Sequence, residues 1–226
     1  MTTTYLSEPQ NLYRIVSFDR AVQMLKAHEL YFSHPSTWDD PYELGLLHDR
    51  SKNIFAQCWS RKALSDAMWR IYSPHGVGVR IGTTRELLQQ ALNAAKVTKG
   101  IHFKIQNVKY LWKEKLDSKL ESIERKLKSK HTDSVALSLL FLKRDEFSHE
   151  GETRVVVHDH AATGDAPRKG FIIEADTYQL LTSIWIDPRA PQAYVEAFTQ
   201  YLKEQLKFLG TVEKSSLYAA RNPRVV

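Results

Sequence analysis

Polar residues punctuate a mostly apolar run over residues 11–18 (NLYRIVSF), and apolar positions take a helical period over 19–30 (DRAVQMLKAHEL). The first stretch predicts a strand. In the second, Ala21, Val22 and Leu25 recur at helical spacing behind Asp19 as a cap. Residues 31–44 (YFSHPSTWDDPYEL), with two prolines and paired aspartates, read as loop. Residues 53–60 (NIFAQCWS) form a short buried-type strand. A helix near 62–72 carries Met68, Trp69 and Tyr72, and 76–81 returns as a strand. A helix over 83–96 begins at a Thr cap, and alternation over 103–112 (FKIQNVKYLW) predicts a strand. Leu116, Leu120, Ile123 and Leu127 then mark a long amphipathic helix over 113–131, with Glu121/Arg125 and Glu124/Lys128 as i,i+4 pairs. It resumes after a break over 134–142. TRVVVH, GFIIEA and LLTSIWI are further strands, and 190–210 is a last helix ended by Gly210.

Strands outnumber what one parallel α/β unit needs and are not evenly interleaved with helices. The expectation is α+β: a mixed sheet, or a pair of small sheets, flanked by helices. The chain of 226 residues suits a single domain over 1–226, with the helical pair at 113–142 as an insertion packed on one side. Five Trp, ten Tyr and nine Phe supply a core. The opening MTTTYLSEPQ lacks the basic and apolar regions of a secretory signal, and no apolar run is long enough to span a bilayer. One cysteine, Cys58, excludes an internal disulfide and a cysteine-based zinc site. A cytoplasmic protein without membrane contact is the expectation.

Charge refines this picture because it is local. Residues 96–130 hold 11 Lys/Arg against 4 Asp/Glu, whereas the rest of the chain holds 21 against 22. A solvated helix face explains much of that run, but Lys104 and Lys109 are interleaved with Phe103, Tyr110 and Trp112. Lysines neutralise phosphates and aromatic faces stack on unpaired bases, so this stretch is a candidate single-strand nucleic-acid surface.

The sharpest chemical feature is FSHEGETRVVV at 147–157. Read as one strand, it puts Glu150, Glu152 and Arg154 on one face, with Thr153, Val155 and Val157 on the other. Two acids held together repel each other, which raises one pKa and suits general acid/base work. Asp39, Asp40 and Glu43 could join them around Mg²⁺, which gives a metal-dependent nuclease as one reading. A non-catalytic binding or inhibitor protein is another. His158 and His160 flank Asp159 without an evident third metal ligand, and read as polar residues leading into a Gly-containing turn. His34 and His75 sit in loops where a ligand could be touched.

The succession LYRI, LYFSHPSTWDDPYE, CWS, MWRIYSPHGVGVRI, KRDEFSHEGETRVV and SIWIDP resembles the bacterial domain of unknown function family 2971, over nearly the whole chain. It departs from that pattern at the first Asp of TWDDPYE and at Phe147. A deeper resemblance is to the R-S-E pattern of ADP-ribosyltransferases: Arg14 in the first strand, Ser60 closing an aromatic-bearing strand, and a Glu-x-Glu on a later strand. That resemblance implies split antiparallel sheets around an NAD cleft. It implies that Arg14, with Tyr13 beside it, holds NAD, that Ser60 orients the nicotinamide ribose or the catalytic acid, and that Glu152 bonds the ribose 2′-OH. Glu150 would handle the acceptor, and Trp69 or Tyr72 would stack on nicotinamide. The implied activity is an NAD ADP-ribosyltransferase, a glycosyltransferase that modifies nucleic acid in preference to protein. A toxin or phage-defence role, with an antitoxin-like partner, accompanies that expectation.

Overall fold

The protein is described by a computed structural model covering residues 10–44, 52–129, 133–160 and 168–219. Its frame is a nine-stranded sheet, antiparallel apart from one strand pair. The centre is β3 (Ile54–Ser60), paired along its whole length with β8 (Glu152–His158), from Ile54 opposite His158 to Ser60 opposite Glu152. β5 (His102–Asn107) lies beyond β8. The other edge of β3 is shared by two strands. β1 (Asn11–Val16) meets it at Tyr13 opposite Ser60, and β2 (Glu29–Ser33) meets it at Ser33 opposite Ala56.

From that fork one branch runs through β1 to β4 (Val79–Thr84), β10 (Ser183–Ile186) and the parallel β11 (Thr211–Lys214). The other runs from β2 to β9 (Gly170–Glu174). The class is α+β as expected, and of the two arrangements anticipated it is the mixed sheet, which splits at β3. β6 (Lys109–Leu111) and β7 (Leu142–Arg144) make a separate parallel pair. Asn107 and Lys109 therefore belong to different sheets, and the alternation over 103–112 that reads as one strand is two.

Alternation along β3 and β8 sorts their side chains between two cores. Phe55, Trp59, Val155 and Val157 face the larger one, closed by α1 (Phe18–Ala27), α4 (Arg85–Lys99), α7 (Thr177–Leu180) and α8 (Gln192–Gln200). Ile54, Ala56 and Val156 face the other way, against Leu137 of α6 (Asp133–Leu139) with Leu140 and Phe141. Leu116 and Ile123 of α5 (Lys113–Ser129) pack on Leu139 and Leu142, so the helical pair covers one side of β7. Burying each such side chain is worth roughly 1.5–3 kcal/mol, which fixes the strands that carry the site.

Local signals hold at several ends. The Thr84 hydroxyl accepts from the Leu87 amide and caps α4, and Gly100 closes it with φ +64°. α3 (Asp66–Tyr72) begins at Ser65 rather than at 62, because the Ser65 hydroxyl accepts from the Met68 amide. Other ends differ from expectation. α1 stops at Ala27, where His28 turns left-handed (φ +55°), and residues 31–33 of the expected loop continue β2. After that loop begins, α2 (Pro41–Leu44) adds one turn of helix. The last helix widens into a π turn at Tyr201–Gln205 and ends there, not at Gly210. A side chain at 210 would meet the Thr182 carbonyl oxygen at 2.6 Å, so Gly210 serves the close approach of β11 to β10. Arg125 donates to the Glu121 backbone carbonyl, not to its carboxylate. The Lys128 side chain and the Gly-containing turn after His160 lie outside the described residues. No helix among the described residues is long and apolar enough to cross a membrane.

Candidate active site

Where β1 and β2 part from β3, the fork opens a cleft of about 470 Å³. Arg14, Tyr13, Ser60, Tyr72, Glu150 and Glu152 all line it, as do Asp39, Asp40 and Glu43. The register explains part of this convergence, because Tyr13, Ser60 and Glu152 are successive partners across three strands.

The two glutamates reach the cleft by different backbones. Residues 145–150 form a 3₁₀ helix that ends at Glu150, Gly151 is left-handed at φ +55°, and the strand begins only at Glu152. The single strand expected over 147–157 is thus a turn followed by a strand, and Glu150 is not brought beside Glu152 by alternation. Alternation does hold from Glu152 to Arg154, whose Nε donates to Glu152 Oε2 at 2.6 Å.

Between the acids stands Lys143, from β7. Its Nζ donates to Glu150 Oε2 at 2.6 Å and to Glu152 Oε1 at 2.8 Å, with Glu43 Oε2 at 4.0 Å. Arg154 is also paired to Glu43 Oε1, donates to the Leu140 carbonyl at 2.9 Å, and lies over the Trp38 ring. Three carboxylates and two cations therefore form one buried network. Around it, the Tyr72 hydroxyl donates to Glu150 Oε1 at 3.3 Å, and the Tyr110 hydroxyl accepts the Glu152 amide at 2.8 Å. The Ser60 hydroxyl donates to the Glu150 carbonyl at 2.6 Å and accepts the Lys62 amide at 3.0 Å. Ser60 thus ties the Glu150 turn to the end of β3.

The network separates the acids electrostatically. Burial and the neighbouring Glu152 push the Glu150 carboxyl up to about 7, against the pull of Lys143. Burial opposes ionisation of Glu152 as well, but Arg154, the contact with Glu150 and Lys143 overcome it and hold Glu152 well below the usual carboxylate range. Burial would also lower Lys143, yet Glu152 and Glu43 keep it above its ordinary value. Glu152 is the fixed anion and Glu150 the group that titrates.

Arg14 differs from the other cations. Its guanidinium is desolvated enough to lower its pKa, with only Cys58 and Tyr72 acting in the opposite sense. Among the described residues it has no carboxylate and no hydrogen-bond partner. Burial pushes the Cys58 thiol beside it up to about 12, so this cysteine is not a thiolate nucleophile.

Several expected residues lie elsewhere. Trp69 is 1% exposed and packs away from the cleft, so it does not offer a stacking face there. Tyr72, three residues on, does line it. His34 bonds Ser36 and packs on Phe55, and His75 lines a neighbouring pocket, whereas His149 borders the cleft. His158 and His160 form a ring cluster with His102, at 3.9 and 4.4 Å. Glu43 does join Glu150 and Glu152, as the nuclease reading requires, but two protein cations occupy the space a metal would need. Among the described residues no group of three or more His, Cys, Asp or Glu could hold a metal ion. Asp40 instead pairs with Arg144 at 3.0 Å.

Residues 68–155 match DUF2971, a family described as proteins of unknown function. The matched span runs from α3 to β8 and includes Tyr72, Lys143, Glu150 and Glu152. No curated protein matches the sequence. Among solved structures, the chain is similar to Thermus sp. 2.9 DarT in complex with NAD+, at 11% identity and TM-score 0.45, over 93% of this chain and 98% of that one. It is also similar to Thermus sp. 2.9 DarT in complex with ADP-ribosylated ssDNA, at 12% identity and TM-score 0.45, over 92% and 95%.

Proposed function

We propose that the protein is an NAD-dependent ADP-ribosyltransferase acting at the fork of the sheet. One observation carries this reading: the guanidinium of Arg14, unpaired among the described residues, and the locked carboxylate of Glu152 line the same cleft. Arg14 supplies positive charge for the pyrophosphate of NAD, and Tyr13 and Tyr72 supply ring surface for its bases. When the C1′–N bond breaks, its electron pair goes to the nicotinamide nitrogen and positive charge develops on the ribose. A fixed anion stabilises that charge most where it develops, and Glu152 is such an anion. The acceptor's lone pair then forms the new bond to C1′, and its proton passes to Glu150. Ser60 holds the Glu150 turn in place. NAD and an acceptor N–H or O–H thus become nicotinamide and an ADP-ribosylated acceptor, with one proton released.

Release of nicotinamide from labelled NAD, with transfer of label to an acceptor fraction, tests the reading. Absence of both, with folded protein, would overturn it. Arg14→Gln is expected to raise KM for NAD by roughly 10–100-fold, the scale of one charge-assisted hydrogen bond, with a smaller change in kcat. An unchanged KM would remove Arg14 as the phosphate contact.

The acceptor favoured is single-stranded nucleic acid. Lys109 is exposed, and Trp112 is 68% exposed just beyond Tyr110, which touches Glu152. Lys104 is less suited than the sequence implied, since its ammonium lies over the Phe141 ring at 5.5 Å. Lys109→Glu combined with Trp112→Ala is expected to weaken nucleic-acid modification at least tenfold at low salt, with the gap narrowing as salt rises because the wild type alone loses that phosphate contact to screening, leaving basal NAD hydrolysis intact. Equal modification by wild type and double variant would point to a protein acceptor instead. The proposal extends to a toxin or phage-defence role restrained by an antitoxin-like partner.

A further inference from the structure

The two oxygens of Glu152 are both committed to cations, Oε1 to Lys143 and Oε2 to Arg154. Glu150 is held differently. Its Oε2 meets Lys143, whereas its Oε1 meets only the Tyr72 hydroxyl, at 3.3 Å. One ammonium thus spans the pair and leaves a single carboxylate oxygen weakly engaged at the cleft. We propose that Lys143 is a positioning residue that divides the labour of the two glutamates, holding Glu152 as the permanent anion and Glu150 as the group that receives the acceptor's proton. The inference rests on the transferase reading for its chemistry, but the division itself belongs to the geometry.

The groups facing Glu150 come from every neighbouring element. They are Lys143 from β7, Glu152 from β8, Tyr72 from α3 and Tyr110 from β6. Beyond Lys143 stand Glu43 and Arg154. Among the described residues that face Glu150 directly, only Lys143 is a cation. An ammonium suits this place because it is a compact charge with three donors, enough for carboxylates on separate elements. Its neighbour Arg144 points to Asp40 and takes no part.

During transfer the acceptor's proton goes to Glu150 Oε1, and Lys143 keeps its own proton throughout. Once Glu150 is neutral, the ammonium remains matched by Glu152 and Glu43. Without Lys143, Glu150 would face Glu152 with no intervening cation. The proton would then stay on Glu150 to higher pH, and the carboxyl could no longer serve as a base near neutrality.

The test needs no substrate. Protein labelled with ¹³C at glutamate carboxyls is titrated by NMR, with the Glu150 resonance identified by its loss in Glu150→Gln. Wild type should show a midpoint near 7. Lys143→Met should move it up by about one unit or more, and Lys143→Arg should bring it back toward the wild-type value. Where Lys143→Met fails to fold, Lys143→Gln keeps hydrogen bonding and drops the charge, giving the same readout. An unmoved midpoint in a folded, uncharged variant would overturn the proposal, as would an equal shift in Lys143→Arg. In parallel, the acidic limb of kcat/KM for transfer should move with the NMR midpoint, and a limb that stays put would remove Glu150 as proton acceptor. A shifted midpoint with no turnover of NAD by any variant would sink the transferase reading and leave the electrostatic role of Lys143 standing.

Discussion

Replacing Glu152 by glutamine is expected to slow nicotinamide release from NAD by roughly 10²–10³-fold, the scale of removing one preorganised electrostatic stabiliser. Glutamine fills the same volume and can still accept from Lys143 or Arg154. Lys143 keeps Glu150 and Arg154 keeps Glu43, so the cleft retains most of its network. What disappears is the charge that the ribose meets as the glycosidic bond opens. NAD affinity, carried by Arg14 and the aromatic walls, should change by no more than a few-fold, and equilibrium binding beside initial rates separates the two quantities. Because Glu152 is held far below the usual carboxylate range, its contribution should not vary with pH above about 5, so any pH dependence there belongs to another group. A variant that retains rates within threefold of wild type would show that the anion at this position does not act on the reaction.

The second large effect is on stability. Arg154→Met is expected to destabilise the fold by about 3–5 kcal/mol, the range for removing one member of a buried ionic network. Arg154 is 1% exposed, and it neutralises Glu43 and Glu152 while donating to the Leu140 carbonyl. Methionine fills the space yet leaves three buried carboxylates, Glu43, Glu150 and Glu152, to the single ammonium of Lys143. Urea denaturation at pH 7.5 measures the loss. Adding Glu43→Gln should recover part of it, because the second change removes one of the stranded charges. The sign with pH follows from Glu43, whose pKa burial has already raised against the pull of Arg154 and Lys143. As pH falls, the stranded acid takes up a proton and the deficit of Arg154→Met should shrink. A deficit below 1 kcal/mol, or one independent of pH, would contradict this account.

What the sequence disclosed was local periodicity and the residues tied to it. Short apolar-rich runs located β1, β3 and β8, and with them Arg14, Ser60 and Glu152; the register then sets Ser60 beside Glu152 and beside Tyr13, the neighbour of Arg14. The Thr84 cap and the leucine stripe of α5 were legible for the same reason. The fork was not, because sharing one edge of β3 between β1 and β2 depends on contacts between residues far apart in the chain. Lys143 was missed because a lysine just past the apolar run LSLLFL, read as helix, looks like a helix end turned to water. Its role appears only when β7 lies beside β6 and Tyr110 stands opposite it. The choice between Trp69 and Tyr72 stayed open for a related reason: on a short helix, periodicity does not say which aromatic faces the core and which the cleft.

The left-handed Gly151 changes what a search for similar chains should look for. A Glu-x-Glu pattern describes two acids roughly 6–7 Å apart on one face of a strand, and a β-branched residue between them would favour that form. Here the middle residue has φ +55°, and a side chain on it would crowd Lys62 at 3.1 Å. A chain with Glu-Val-Glu at this position would run on as strand, turning the first acid away from its lysine and its backbone carbonyl away from the serine that closes β3. Among sequences that share the acid pair, the glycine is therefore the character that separates this arrangement from a plain strand.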